Sequence, residues 1–264
     1  MKVVTSVEIN EELLRPHLLF NSPFRYNEYI TLSPVRMKDY IDFSIFSTAL
    51  TLRKDAIFQE KKLIKMGYFE FIKYSFRNFE LAKKYEENQL PYYYDFIVGL
   101  LQIICGQDAK ILYNSSNLDL YINDFLITDE VFDDLRKIII IQNDIDFNID
   151  EFMNIDTVNA LEKARAFEAE KNKQKANIED YIDSIVISLR VDEEYVSNIT
   201  IRKFWRYVKR INKHESYNAR LTGEMGGFVK FKEPLEHWMT TLDVEDKYEN
   251  LKTNESELRS KVEG

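Results

Sequence analysis

Apolar positions along the chain recur mostly at steps of three and four. In RMKDYIDFSIFSTAL (36–50), Met37, Tyr40, Ile41, Ile45, Phe46 and Leu50 take that spacing, which lines one face of a helix. DAIFQEKKLIKM (55–66) and GYFEFIKYSF (67–76) continue the pattern, with Gly67 as an interruption. Pro91 suits the first turn of a helix that carries the apolar run FIVGLLQIIC (96–105) into a core. Thr128 or Asp129 is placed to cap a helix over EVFDDLRKIIII (130–141), whose early acids suit the positive end of the helix dipole.

Alternation of apolar and polar residues interrupts this in three places. HLLF (17–20) and YITLSPV (29–35), separated by the turn-forming NSPF, predict a small hairpin. AKILYN (109–114) and LDLYINDFLI (118–127) predict a second one around 114–117. NDIDFNIDEF (143–152) alternates as a half-buried strand would.

From Asn159 the chain turns polar and charged, which places a boundary near residue 156. The division predicted is 1–156, a mixed helical domain with small hairpins; 157–242, a helical module; and 243–264, a charged tail. Within the module, IEDYIDSIVISLR (178–190) is an amphipathic helix and DEEYVSN (192–198) a short helical turn. TIRKFWRYVKRINKH (200–214) follows, with Thr200 placed to cap it. Ile201, Phe204, Trp205, Val208 and Ile211 form one apolar stripe, on which the Trp205 indole is expected to be core. Arg202, Arg206, Lys209 and Lys213 step by four, three and four, so their heads share a second face. GEMGG (223–227) stops this helix, and GFVKFKEPLEHWM (227–239) forms a compact closing piece. In the tail, Val244, Tyr248, Leu251, Glu255, Leu258 and Val262 keep a heptad spacing broken only at Glu255. That makes Tyr248, Leu251 and Leu258 candidate partner-contact residues beside the four cations.

Composition agrees with this reading. Only 7 Gly and 5 Pro in 264 residues, with 31% charged residues, disfavour a turn-dense β-sandwich and favour a mainly α, α+β fold with small hairpins. The start lacks a signal-peptide core and the 96–105 run is about half the roughly 20 residues a membrane span needs. The expected setting is therefore the cytoplasm, without membrane contact. The single cysteine, Cys105, excludes an internal disulfide and reads as a small buried hydrophobe.

Charge is uneven. Between Asp119 and Asp156 eleven acids face only Arg136 and Lys137, so this window carries the whole formal net charge of -9 and the remainder is balanced. Asp144, Asp146, Asn148 and Asp150 begin like a calcium loop, but Ile149 and Ile155 stand where the sharp-turn glycine and the bidentate glutamate belong. The three histidines are far apart, and no P-loop, nucleophile elbow or dinucleotide fingerprint occurs. No enzyme, cofactor or metal is expected.

Helix, short helix and basic helix over 178–214 have the outline of a helix-turn-helix. The last helix, however, opens with Ile201, Phe204 and Trp205 rather than with small polar base readers, and its aromatics lie away from the cations. Nucleic acid is the weaker partner class, and a regulator of that type the second alternative. Three stretches, YNEYITLSPVRMKDYIDF, KKLIKMGYFEFI and TIRKFWRYVKRINKHESYNARLTGEMGGFVKFKEPLEHWM, together resemble tail assembly chaperones and baseplate-hub assembly proteins of tailed bacteriophages. The resemblance touches about a third of the chain and brings no catalytic residues with it. It implies a morphogenesis protein of the host cytoplasm that binds tail or baseplate proteins, with self-association as a further expectation. A structural subunit of the virion is the first alternative.

Overall fold

The computed structural model describes residues 9–54, 58, 60–84, 90–147, 149, 177–227 and 234–242. The chain divides into two compact units, 1–205 and 206–264. The fold is mainly α with small antiparallel strand pairs. In order come α1 (Glu11–Phe20), β1 (Phe24–Arg25), β2 (Thr31–Leu32), α2 (Tyr40–Phe46), α3 (Lys61–Lys65), α4 (Tyr68–Arg77), α5 (Phe79–Lys84) and α6 (Tyr93–Cys105). Then follow β3 (Ile111–Tyr113), β4 (Leu120–Ile122), β5 (Phe125–Leu126), α7 (Asp129–Gln142), α8 (Ile178–Leu189), α9 (Glu193–Asn198) and α10 (Ile201–Met225).

The predicted first hairpin exists but is built from other residues. HLLF is the last turn of α1, and β1 pairs with β2 through Phe24–Leu32 and Arg25–Thr31. Asn10 caps α1 by accepting from the Leu13 N–H at 2.9 Å, and Asn21 ends it in the left-handed region. Leu14 and Leu18, one turn apart, then bury the inner face. The second hairpin gains a third strand. Asn123 and Asp124, both at positive φ, make the two-residue turn that joins β4 to β5.

NDIDFNIDEF is not a strand over its described residues. Asp144 at φ 56 lets the Ile145 N–H reach back to the Ile140 carbonyl, a Schellman closure of α7. Phe147 beyond it lies under two guanidinium groups, Arg53 at 4.8 Å and Arg136 at 5.2 Å from its ring centre.

The core of the first unit is aromatic. Phe69 stacks on Phe132 at 4.7 Å and on Tyr94 at 6.4 Å, and Tyr68 stacks on Phe132 at 6.2 Å. Arg136, only 4% exposed, has its guanidinium carbon 3.5 Å from the Tyr68 ring centre and donates through Nε to the Leu50 carbonyl. Burial pulls its guanidinium below the usual value, but a guanidinium this basic keeps its charge. The Tyr68 hydroxyl donates to the Ala49 carbonyl and accepts from the Leu52 N–H, and burial pushes it up to about 12. Gly67 is where α4 begins beside α7. A Cβ there would sit 1.6 Å from Asp129 Oδ2, whose companion oxygen accepts from the Glu70 N–H at 2.6 Å. Asp129 thus caps a neighbouring helix as well as opening its own.

The segment 32–37 ties the unit together. The Ser33 N–H donates to Ile104 of α6, Val35 N–H donates to Asn143 Oδ1, and Gln142 Nε2 donates to the Leu32 carbonyl. On its far side, the Ile201 N–H donates to the Val35 carbonyl and the Met37 N–H to the Ile199 carbonyl, both at 2.9 Å. This strap fixes where α10 starts.

Candidate partner-binding surface

Each helix of the 177–225 stretch begins on a side-chain cap. Asn177 and Asp180 form a reciprocal capping box on α8, and Asp192 accepts from the Tyr195 N–H at the head of α9. Thr200 caps α10, accepting from the Lys203 N–H at 3.2 Å while its hydroxyl donates to Asn21 Oδ1 at 3.0 Å. Arg190 at φ 55 closes α8, and Val191 N–H bonds back to the Val186 carbonyl.

Ile185, Val196, Ile201 and Phe204 are the buried positions of this stretch, with Phe204 at 0% exposure. Trp205, expected in the core, is half-buried. It lies about 100° round the helix from Phe204, at the margin, where Tyr181 meets it edge-on at 5.2 Å. Sequence periodicity gave the two aromatics equal standing; only the packed neighbours separate them.

The four predicted cations have different fates. Arg202, in the first unit, reaches the Leu18 carbonyl at 3.5 Å. In the second unit, Lys213 pairs with Glu236 at 3.3 Å and donates to the Thr241 carbonyl at 2.9 Å. Arg206 is half-buried and Lys209 exposed. Tyr248, Leu251 and Leu258 lie outside the described residues.

Arg210, which the spacing of the basic face left out, proves central to the second unit. Its Nη1 donates to the Trp238 and Thr240 carbonyls, the latter at 2.9 Å. Beside it His214 meets Trp238 edge-on at 4.9 Å and Tyr217 meets His237 at 5.2 Å. Hydrogen bonds from Thr240 and Lys213 hold the Glu236 carboxyl below its usual range. The closing segment is therefore clasped to one flank of α10 by Arg210, Lys213 and these rings. The signal in the sequence was the HWM tripeptide spaced from a helix rich in cations and rings, but nothing there says which cation it engages.

Among the described residues, no group of three metal-ligating side chains converges, and no helix is long and apolar enough to cross a membrane. What the geometry offers is contact surface: a mainly helical protein whose C-terminal helices expose charged flanks and scattered apolar side chains. Residues 170–243 match the family model described as the YomV second domain, a family derived from a Bacillus phage, and the match points to a phage origin. No curated protein and no solved structure matches the chain.

Proposed function

We propose that this chain is a bacteriophage tail or baseplate morphogenesis protein that works by protein–protein contact and without catalysis, as a tail assembly chaperone. The observation that carries the reading is the match of residues 170–243 to a phage-derived family. Exposed apolar side chains support it: Phe20 is 82% exposed beside Leu19, and Ile41, Tyr92 and Tyr113 stand out from the first unit. Such side chains are what a chaperone needs to cover the apolar or edge-strand surfaces of unassembled subunits. The commitment of Arg210 and Lys213 to the closing segment favours protein over nucleic acid, because it shrinks the cationic footprint available to phosphates.

The test is capture of the tagged full-length chain from cells producing the phage, with purified particles probed in parallel. Tail or baseplate proteins should co-purify, and the chain should be missing from particles. Its presence in particles would instead favour a permanent virion subunit. Tight duplex-DNA binding near physiological salt, with no tail protein captured, would sink the contact reading.

A further inference from the structure

The 177–225 stretch carries two surfaces of opposite sign. Residues 177–198 hold six acids against Arg190 alone, and residues 201–225 hold seven cations against Glu215 and Glu224. The two net charges are equal and opposite.

On α8, Glu179, Asp183 and Ile187 follow one another at steps of four and so share a face, whose middle lies about 180° round the helix from the middle of the Tyr181–Ile185 face. Ile185 is fully buried and Tyr181 packs on Trp205, so the acidic face turns away from the first turn of α10. Ile187 stands in it at 76% exposure, and the neighbouring α9 adds exposed Glu193, Glu194 and Tyr195. Asp180 and Asp192 are occupied as caps. Within their own unit and among the described residues, Glu179, Asp183, Glu193 and Glu194 make no ion pair. On α10 the clasp takes Arg210 and Lys213. Arg206 and Lys209, about 4.5 Å apart along the axis, make no hydrogen bond or ion pair among the described residues of theirs.

We infer that the outer face of α8 and α9 in one copy docks on the Arg206–Lys209 face of a second copy. The occupant is a second copy because the charge that answers these four acids is present on the same chain, on Arg206 and Lys209, which the clasp of the closing segment leaves unengaged within their own unit. An apolar side chain, Ile187, among charged residues matches the anatomy of an interface with an apolar centre and polar rim. The two patches differ, so the contact is heterologous and can repeat from copy to copy. None of this depends on the phage reading.

Light scattering on the full-length chain, over a concentration series, tests it. At ~0.01 M salt, where charges act over ~30 Å, mass should rise with concentration, and at ~1 M, where they act over ~3 Å, it should return to monomer. The double reversals Arg206→Glu/Lys209→Glu and Glu179→Lys/Asp183→Lys should each weaken association by at least about tenfold. Mixing the two reversed proteins should restore it, a result that misfolded variants cannot give. A chain that is monomeric throughout at low salt overturns the inference. So does association that both reversals leave unchanged, or reversed proteins that fail to associate when mixed.

Discussion

At the scale of single residues, burial separates side chains that periodicity treats alike. Phe204 has no exposed surface and Trp205 keeps part of its own, so Phe204→Ala should cost roughly 3–5 kcal/mol, the range for a large core aromatic. Trp205→Ala should cost clearly less, since part of the indole is in water in both states. Thermal and urea melts of the two variants check the order, and equal losses would contradict it. Cys105, expected to be buried, is half-buried at the end of α6, and what burial it has still pushes its thiol up to about 12 from an ordinary value of 9.0. The folded chain therefore holds a proton that the unfolded chain releases. Its contribution to stability is complete below pH about 9 and is lost as the pH climbs towards 12. At pH 8 a thiol reagent should label the native protein slowly and the urea-unfolded protein fast, since the thiolate is the reacting form. Fast labelling of the folded chain would show that the thiol is open to solvent.

At the scale of elements, start and stop signals were legible where they were local. Thr200 was readable as a cap, and Thr128 as one of two candidates with Asp129, because the acceptor and the N–H it satisfies lie three residues apart. HLLF and NDIDFNIDEF misled because alternation over a few residues also fits a helix end followed by a left-handed closure. Asn21 and Asp144 make those closures, and neither is marked by glycine. The Asp129 cap on α4 is a different case, since its donor is 59 residues away. Gly67→Ala should force Asp129 off the Glu70 N–H, and Asp129→Ala should remove the same bond. Each should cost ~1 kcal/mol, typical for a lost helix cap. The double variant should lose little more than either single one, because both break one interaction. Additive losses in a double-mutant cycle would mean that the glycine acts through something else.

At the scale of the whole molecule, the closing segment is held to α10 by a few polar contacts and ring edges. Arg210→Ala removes the donor to both the Trp238 and Thr240 carbonyls. Hydrogen exchange over 236–242 should rise by at least tenfold, equivalent to ~1.4 kcal/mol of local stability, with exchange in α6 and α7 unchanged. Unaltered exchange would show that the rings hold the segment without Arg210.

The sequence by itself determined the fold class, most helix positions, the threonine caps of α7 and α10 and the charge balance of each stretch. These depend on residues within a turn or two of one another, and helical periodicity carries them directly. The partners of side chains were decided only in three dimensions. Segment 32–37 bonds at once to α6, α7 and residues 199–201; Arg136 leaves the acidic window to lie on Tyr68; Lys213 and Arg210 go to the closing segment while Arg206 and Lys209 stay outside it. Periodicity says which residues share a face of a helix. It does not say what comes to lie against that face, because that depends on chain far away in sequence and on which groups burial obliges to find a partner.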